Sequence, residues 1–275
     1  MKKILITGKD SYIGTSFEIY AKEKGYEVDT VDMIDPSWRE KSFSEYDAVF
    51  HVAGIAHRKE TDENRELYFR VNRDLAVETA KKAKADGVGQ FVFLSSMSVY
   101  GLESGVITRK TTPAPKNAYG LSKLEAEQEM EHLSDEAFRV CVIRPPMVYG
   151  KDCKGNFQTV VKLVKKLPVF PRVNNKRSMI HVDNLSRFVL LCIDRGLSGV
   201  YLPQNKEYVN TTDMAAKIAA ALGKKVFFSR ILGLGVRLLA PIVSMAKKAF
   251  SSLVYENCED FEFCYCQDDN IEKSV

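Results

Sequence analysis

The sequence lacks the features that mark several large classes of protein. It has no block of lysines and arginines of the kind that binds nucleic acid, and its net charge of +4 is mild and scattered. The N-terminus becomes polar by Thr7, which is too early for a secretory signal. No internal repeat or low-complexity linker stands out. We therefore expect a cytoplasmic protein that does not bind nucleic acid.

Uninterrupted apolar runs of membrane length are also missing. The most apolar stretch, residues 231–250, contains Arg237, Lys247 and Lys248 and is broken by Pro241, so it is too interrupted to span a membrane. We interpret it as a pair of helices in a substrate-binding domain and expect no membrane contact. A helix that lies on a membrane surface is the alternative for this stretch.

Cysteines are few, and their spacing matches no common framework. Cys141 and Cys192 lie in apolar runs, where buried thiols are ordinary. Cys258, Cys264 and Cys266 cluster near the end of the sequence, but no histidine lies close and the spacing fits no familiar zinc pattern. The sequence predicts reduced cysteines and no metal site.

What the sequence does contain is the alternation of an α/β protein. Its 275 residues, of which 45% are apolar and 28% charged, can bury a full core. Short apolar runs alternate with helical patterns as far as residue 150, which predicts a doubly wound parallel sheet. We assign residues 1–150 to this domain, with 178–203 returning to it. Residues 151–177 and 204–275 are assigned to a smaller, mixed C-terminal domain.

The first such alternation has the form of a dinucleotide-binding unit. The apolar run 3–7 is followed by Gly8, Ser11 and Gly14, and then by a helix predicted over 12–24. Glycines at these positions let the backbone approach a pyrophosphate at the positive end of a helix. Ser11 stands where a glycine is usual. The alternative interpretation is a plain turn between a strand and a helix.

An acidic residue completes the unit. A second strand, predicted over 27–31, ends at Asp32, which lies 18 residues after Gly14. A carboxylate at this position accepts hydrogen bonds from an adenosine ribose and repels a 2′-phosphate, so the sequence favours NAD over NADP. Only 15 residues separate Asp32 from the next apolar run, at residues 48–54. Because this is short for a helix and a strand, one strand of the usual sheet is predicted to be shortened or missing.

A candidate reaction centre lies in the middle of the chain. Tyr119 and Lys123 are four residues apart, one turn from each other on one face of a predicted helix. An ammonium beside a phenol favours the phenolate, so this tyrosine would exchange protons nearer neutral pH. Ser95 and Ser96 lie at the end of a predicted buried strand, the edge of the sheet where ligands bind. The alternative is an exposed helix face that has this spacing by chance.

The remaining elements are predicted from local signals alone. Residues 101–117 have the composition of a loop, and residues 156–166 the pattern of a basic helix. A last strand is predicted over 199–202. Residues 211–213 are predicted as the N-cap group of a helix over 214–222.

These motifs together resemble a known family. In chain order they are Thr7-Gly8 to Gly14, His51-Val52-Ala53-Gly54, Ser95-Ser96 to Tyr100-Gly101, Tyr119 with Lys123, Arg144-Pro145-Pro146 to Tyr149-Gly150, and Arg177 to Asp183. The chain resembles the extended short-chain dehydrogenase/reductase family in its NAD-dependent sugar-nucleotide epimerase/dehydratase branch, over residues 1 to about 225. The resemblance implies a Rossmann-type α/β fold, NAD as cofactor, a UDP-linked nucleotide sugar as substrate, and a homodimer.

The resemblance also implies roles for individual residues. Ser96, Tyr119 and Lys123 would be catalytic, with Tyr119 as acid and base and Lys123 lowering its pKa. The residues that would contact the cofactor are Gly8, Ser11, Tyr12, Ile13, Gly14, Asp32, Ala53, Gly54, Asn72, Tyr119, Lys123 and Pro145. The residues that would contact the substrate are Ser96, Asn156, Phe170 and Arg177. Of these, Arg177 would bind the diphosphate, a task suited to a bidentate cation.

The reaction stays open between alternatives. Sugar 4,6-dehydratases of this family carry an Asp-Glu pair directly after the catalytic serine or threonine, where this chain has Met97 and Ser98. Dehydration is therefore not expected. We favour a UDP-sugar 4-epimerase of cell-surface polysaccharide synthesis. The alternatives are an NAD(P)H-dependent 4-keto-sugar-nucleotide reductase and a non-catalytic dinucleotide-binding regulator.

Overall fold

The structure is a computed structural model that describes residues 2–56, 60–153, 155–239, 250–256 and 271–275. These residues form two compact units. The first unit comprises Met1–Gly101, Thr112–Pro145 and Val182–Pro203, and the second comprises Leu102–Thr111, Pro146–His181 and Gln204–Val275.

The strands and helices alternate along much of the chain. The strands are β1 (Lys3–Thr7), β2 (Glu27–Val31), β3 (Ala48–His51), β4 (Gln90–Leu94), β5 (Gly105–Ile107), β6 (Arg139–Ile143), β7 (Met147–Tyr149), β8 (Val169–Pro171), β9 (Met179–His181), β10 (Gly199–Tyr201), β11 (Phe227–Ser229) and β12 (Leu253–Tyr255). The α-helices are α1 (Tyr12–Glu23), α2 (Asp62–Phe69), α3 (Leu75–Ala85), α4 (Ala118–Glu131), α5 (Asn156–Lys166), α6 (Val182–Asp194), α7 (Thr211–Ala221) and α8 (Arg230–Leu239). Short 3₁₀ turns cover Pro36–Arg39, Met97–Tyr100 and Glu272–Ser274, and a π-helical turn, Arg70–Asp74, joins α2 to α3.

The first unit is built around a six-stranded sheet. Its strand order is β10-β6-β4-β3-β1-β2, and every neighbouring pair is parallel. The inner strands are apolar because both faces of such a sheet are covered; in β4 all five residues are buried. The carboxyl ends of the strands lie along one edge of the sheet. The predicted α/β fold with a parallel central sheet is confirmed.

Helices cover both faces of this sheet. Adjacent residues of a strand point to opposite faces. In β3, Phe50 packs against Phe17 of α1, with ring centroids 4.9 Å apart. Its neighbour Val49 belongs instead to the core cluster that contains Ala80 of α3 and Ala126 of α4. The sheet is therefore doubly wound, as the alternation of elements predicts.

Residues 33–47 contain no strand. The chain passes from β2 to β3 through the 3₁₀ turn Pro36–Arg39, which Asp35 caps by accepting a hydrogen bond from the amide of Ser37. Trp38 in this turn is buried in the core cluster. β2 is consequently an edge strand of the sheet. This is the shortened segment that the spacing between Asp32 and Ala48 predicts.

Two local predictions are wrong, for different reasons. Residues 101–117 are not all loop, because Gly105–Ile107 forms β5, whose partner β12 lies far along the chain. The N-cap of α7 is Asn210 rather than residues 211–213. Its side-chain oxygen accepts hydrogen bonds from the amides of Thr212 and Asp213, at 2.8 and 3.3 Å, and the helix already begins at Thr211.

The second unit contains three pairs of short parallel strands, β7 with β9, β8 with β11 and β5 with β12, together with α5, α7 and α8. α5 covers the residues predicted for a basic helix. α8 covers the first part of the apolar stretch 231–250, whereas residues 240–249, with Pro241, Lys247 and Lys248, lie outside the described residues. Cys258, Cys264 and Cys266 also lie outside them.

Two further sequence predictions concern thiols and membranes. Cys141 and Cys192 are buried, as their apolar surroundings predict. No helix in the described part of the chain has the length and apolar character needed to cross a membrane.

The contact between β3 and α1 gives a test of the core. Phe50 is fully buried, so Phe50→Ala is expected to lower the free energy of unfolding by about 3–5 kcal/mol, through lost burial and the cavity left behind. Urea denaturation followed by circular dichroism measures this loss. Ile34→Ala is the control: Ile34 is 91% exposed, so its change is expected to stay within about 0.5 kcal/mol. Similar losses for both variants would contradict the described packing.

Candidate active site

The turn after β1 brings two backbone segments into close contact. The amides of Gly8 and Lys9 both donate to the carbonyl of Val31, at 3.1 and 3.2 Å. Gly8 has φ of +116°, and a Cβ at this position would lie 2.8 Å from the amide nitrogen of Ala53. The Ala53 amide in turn donates to the carbonyl of Thr7. Glycine is needed at position 8 for both its backbone conformation and this approach.

Ser11 takes the place of the usual middle glycine without strain. Its φ of −74° and ψ of 140° are extended values open to any residue. Its hydroxyl caps α1 by accepting a hydrogen bond from the amide of Gly14 at 3.2 Å. The amides of Tyr12 and Ile13, the first two of α1, have no acceptor within the helix. This turn is therefore suited to an anion such as a pyrophosphate.

Asp32 lies where a ribose would be bound. It directly follows β2 at the carboxyl edge of the sheet, and it is exposed. Its Oδ1 accepts a hydrogen bond from the amide of Ile34 at 2.8 Å, which orients the carboxylate. A carboxylate keeps further lone pairs for ribose hydroxyls. Its charge disfavours a 2′-phosphate at the same place.

Asn72 connects the loop after β3 to α4. It is fully buried in the π-helical turn Arg70–Asp74. Its side-chain amide accepts from the backbone amide of Ile55 at 2.8 Å and donates to the carbonyl of Ile55 at 3.1 Å and to Ser122 Oγ at 3.3 Å. A Cβ on Gly54 would lie 2.9 Å from Asn72 Oδ1 and 3.4 Å from Lys123 Nζ. The loop at Gly54 thus runs directly past the candidate reaction centre.

The start of α4 is fixed on two sides. Asn117 caps the helix by accepting from the amide of Gly120 at 2.8 Å, and Glu60 accepts from the amide of Ala118 at 2.8 Å. A Cβ on Gly120 would lie 2.6 Å from the carbonyl oxygen of Ser98. The helix therefore packs tightly against the turn Met97–Tyr100. Tyr119 is held in place by this packing.

Ser96, Tyr119 and Lys123 come together at the carboxyl end of β4. Ser96 lies close enough to the phenol of Tyr119 to affect its pKa. The ring of Tyr119 also contacts the ring of Tyr68, with centroids 6.3 Å apart. Lys123 Nζ donates to the carbonyl of Leu94 at 2.9 Å and lies 4.6 Å from the centroid of the Phe93 ring. The three residues that sequence analysis selected as catalytic are thus neighbours.

Burial acts on the acidities of both members of this pair. Desolvation raises the pKa of Tyr119, although Ser96 opposes this increase. Burial also lowers the pKa of Lys123 to about 8, against an opposing effect of Glu127. That Lys123 lowers the pKa of Tyr119 when the cofactor is bound stays a prediction.

Pro145 and the residues after Ser96 form the adjoining side of the site. The amide of Met97 donates to the carbonyl of Pro145 at 2.9 Å. Ser96 Oγ accepts from the amide of Ser98 and donates to Ser98 Oγ, both at 3.1 Å. Pro145 itself is buried. In the sugar dehydratases, positions 97 and 98 carry the acid and the base. Here the same positions instead hold the turn Met97–Tyr100 against the segment that follows β6.

Sequence analysis missed a buried ion pair next to these residues. Glu127 and Arg144 are both buried, and Arg144 Nε lies 3.2 and 3.1 Å from the two carboxylate oxygens of Glu127. Ser95 Oγ donates to Glu127, and Arg144 Nη1 donates to Tyr100 Oη at 2.9 Å. The available signal was the spacing of Glu127, four residues after Lys123 on the same helix face.

Apart from Ser96, the predicted substrate residues lie in the second unit. Asn156 is exposed at the first position of α5. Phe170 is fully buried, and its ring centroid lies 6.1 Å from those of both Phe228 and Phe250. We therefore interpret Phe170 as a core residue rather than a substrate contact. Arg177 is half-buried, and its Nη1 donates to the carbonyl of Ser251 at 3.0 Å.

Metal ligands are not grouped in the described part of the chain. No set of three or more histidine, cysteine, aspartate or glutamate side chains there is arranged to hold a metal ion.

Comparison with known proteins identifies the class. Residues 4–202 match the model of the NAD dependent epimerase/dehydratase family, and the chain belongs to this family. Its membership confirms the resemblance found in the sequence and the predicted NAD cofactor. The glycine turn at Gly8 and the exposed carboxylate of Asp32 fit that cofactor.

Individual relatives show what the chain is similar to. It is 32% identical to UDP-glucose 4-epimerase of Vibrio cholerae over 81% of this chain and 76% of the relative. It is 26% identical to N-acetyl-alpha-D-glucosaminyl-diphospho-ditrans,octacis-undecaprenol 4-epimerase of Escherichia coli O157:H7, over 71% of this chain and 60% of that protein. The fold matches UDP-glucuronic acid 4-epimerase from Bacillus cereus, solved in complex with NAD, with a TM-score of 0.76 at 16% identity over 99% and 95% of the two chains.

The close approach at Gly54 gives a test of the cofactor site. In Gly54→Ala the added methyl would press on Asn72 Oδ1 and approach Lys123 Nζ. We expect a loss of NAD affinity, measured by calorimetry, and a loss of stability of about 1–3 kcal/mol. Gly89→Ala is the control, because a Cβ there meets only the carbonyl oxygen of Asp47 at an ordinary 3.7 Å. Unchanged NAD affinity in Gly54→Ala would contradict the assignment.

The buried ammonium gives a second test. Its folded-state pKa of about 8 lies below the usual 10.5, so the unfolded chain binds more protons between these two values. The free energy of unfolding therefore rises with pH across that window. Lys123→Met removes this dependence, and the variant is expected to be more stable at pH 7 by at most about 3 kcal/mol. Urea denaturation over a pH series measures both effects.

The control for this comparison is Lys81→Met, since Lys81 is exposed on α3. It is expected to follow the wild-type pH dependence. If Lys123→Met followed it as well, the ammonium would not be desolvated as described.

Proposed function

We propose that this chain is an NAD-dependent 4-epimerase of UDP-sugars. The observation that carries the proposal is that the start of α4, which carries Tyr119, packs against the turn that follows Ser96, beside a buried Lys123 at the carboxyl edge of a dinucleotide-type sheet. A phenol and a serine hydroxyl that lie close together can both form hydrogen bonds with one alcohol oxygen of a substrate. The likeness to UDP-glucose 4-epimerase of Vibrio cholerae supports the same choice of reaction.

Each residue of the site would have a separate role in the reaction. Tyr119 takes the proton from the 4-hydroxyl of the sugar and later returns it, and Ser96 holds the same oxygen by a hydrogen bond. Lys123, oriented by the carbonyl of Leu94, binds a ribose hydroxyl of the cofactor. NAD, when bound, would supply the acceptor for the hydride of C4, the source from which that hydride returns to the other face of the keto sugar, and a positive charge that favours the phenolate. The backbone at Gly8, Tyr12 and Ile13 would hold the pyrophosphate.

Arg177 supports a substrate with a diphosphate. Its backbone is fixed by hydrogen bonds with Val209 on one side, and its neighbour Ser178 donates to the carbonyl of Leu253. Its Nε is buried and has no hydrogen-bond partner among the described residues. Burial lowers the pKa of this guanidinium, and no ion pair with Arg177 is found among the described residues. A diphosphate would supply the missing anion and the bidentate acceptor.

A redox step at one carbon fits the residues around Ser96 better than an elimination. Met97 and Ser98 carry neither a carboxylate acid nor a carboxylate base, and their amides hold Pro145 and Ser96. We place the enzyme in the synthesis of cell-surface polysaccharide, in line with the family resemblance and with the undecaprenol-linked sugar in the name of the Escherichia coli relative.

The proposal is tested with purified protein and nucleotide sugars. UDP-glucose, UDP-N-acetylglucosamine and a 4-keto-6-deoxy nucleotide sugar are incubated with and without NADH, and products are followed by NMR. Formation of the C4 epimer without net NADH consumption is expected. Stoichiometric loss of NADH with the keto sugar would identify a reductase instead. No conversion of any nucleotide sugar would contradict the proposal.

Tyr119→Phe tests the assignment of the acid and base. Loss of the phenol is expected to lower kcat by about 10²–10⁴-fold, the usual contribution of general acid–base catalysis, with NAD affinity retained. The matched control is Tyr20→Phe on α1, which removes a hydroxyl far along the chain from α4. A Tyr119→Phe enzyme with wild-type kcat would show that the proton passes elsewhere.

A further inference from the structure

One face of α4 carries three functional groups in a row. Tyr119, Lys123 and Glu127 are spaced four residues apart, so they follow one another along the helix. Each of them lies near one short segment, Leu94 to Ser96, at the end of β4. Lys123 donates to the carbonyl of Leu94, Glu127 accepts from Ser95, and Tyr119 lies near Ser96.

The two serines of that segment face different groups. Ser95 Oγ donates to the carboxylate of Glu127, and Ser96 begins the turn against which the start of α4, with Tyr119, packs. Because Ser95 and Ser96 are adjacent, any movement of one displaces the other. The position of the catalytic serine therefore depends on what holds Ser95.

Glu127 is itself held by the neighbouring strand. Arg144 follows β6 directly, and its Nε makes hydrogen bonds of 3.1 and 3.2 Å to the two oxygens of the Glu127 carboxylate. The next residue, Pro145, accepts the amide of Met97 at 2.9 Å. The carboxylate of Glu127 is thus the point at which α4, the end of β4 and the end of β6 are joined.

We propose that Glu127 is a positioning residue for the reaction, whose carboxylate fixes Ser95 and Arg144 and so sets Ser96 and Lys123 against Tyr119. This inference rests on the proposed epimerase function for its kinetic readout. A buried ion pair needs only that its two charges neutralise each other. That need does not explain why Glu127 also binds Ser95, the residue next to the catalytic serine.

The charges around Lys123 support this role. Among the described residues, His51 of β3 and Glu127 of its own helix are titratable groups that interact with Lys123, and Tyr119 lies one turn before it on that helix. Burial lowers the pKa of His51 to about 3 and raises the pKa of Tyr119, so both are neutral at neutral pH. Glu127 is the group that raises the pKa of Lys123 against desolvation. On the side of the π-helical turn, Arg73 pairs with Glu125 at 2.7 Å.

The competing explanation is that Glu127 only neutralises the buried Arg144. A double variant separates the two roles. Glu127→Gln alone leaves a buried guanidinium without its counter-ion, which destabilises the fold. Glu127→Gln combined with Arg144→Met removes both charges and is expected to recover most of the lost melting temperature. If Glu127 has only the ion-pair role, the double variant also recovers kcat.

The experiment compares wild type, Glu127→Gln, the double variant and the control Glu129→Gln. Glu129 is exposed on the same helix, so the control removes the same charge two residues away. We expect kcat to fall on the order of 100-fold in both Glu127 variants, as for a misplaced catalytic group, with KM little changed. The alkaline limb of the pH profile, which follows deprotonation of Lys123, should move to lower pH. Glu129→Gln should match wild type in both respects.

A second readout needs no substrate. Trace labelling of Lys123 with acetic anhydride over a pH series, read by mass spectrometry, reports its protonation directly. Labelling of Lys123 should begin at lower pH in Glu127→Gln than in wild type or Glu129→Gln. If wild type converts no nucleotide sugar, the proposed function fails, and this labelling still decides the role of Glu127.

Two results would overturn the inference. One is recovery of kcat together with melting temperature in the double variant, which would leave Glu127 with a structural role alone. The other is labelling of Lys123 that does not differ between Glu127→Gln and Glu129→Gln.

Discussion

The constraint on which the first unit depends is the burial of one ammonium group. Lys123 is nearly excluded from water, and a cation in such a place is costly unless polar groups surround it. The structure supplies the carbonyl of Leu94, the face of the Phe93 ring and the carboxylate of Glu127. All three come from α4 or β4. The helix and the strand that carry the candidate catalytic groups are therefore the ones that stabilise the charge.

Close backbone contacts complete this arrangement. Gly8 lies against Ala53, Gly54 lies against Asn72, and Gly120 lies against the carbonyl of Ser98. At each position a side chain would occupy space that the adjoining segment already fills. These contacts bring the ends of β1, β3 and β4 and the start of α4 toward one edge of the sheet. The same edge carries Asp32 after β2, so the cofactor candidates and the catalytic candidates share it.

Much of the fold could be predicted from local sequence because its signals are local. β1 is an apolar run that ends at a glycine, β2 ends at an acidic residue, and the observed limits of both strands match the prediction. The pairing of β5 with β12 could not be predicted, since it joins segments far apart in the chain. Asn210 was missed as a cap because Thr211 and Asp213 are equally good capping residues by composition.

The sequence predicts which residues form the candidate site, but not how far they are buried or how their pKa values shift. The spacing of Tyr119 and Lys123 places them on one face of a helix, but it does not reveal how deeply that face is buried. Burial sets the direction of both pKa shifts. In the same way, Phe170 fits a substrate-side motif in the sequence, yet the rings of Phe228 and Phe250 enclose it. Glu127 of α4 is not evident from the sequence because its partner Arg144 belongs to a different element, the segment directly after β6.

The raised pKa of Tyr119 has a consequence for how the proposed reaction is controlled. With the phenol buried and Lys123 bound to the carbonyl of Leu94, the chain alone keeps Tyr119 protonated at neutral pH. A positive charge entering the pocket lowers the pKa of a nearby phenol. The oxidised cofactor carries such a charge, and the reduced cofactor does not. The base would therefore form when a hydride acceptor is present and would regain its proton once the hydride has been transferred, so that proton and hydride move together in either direction.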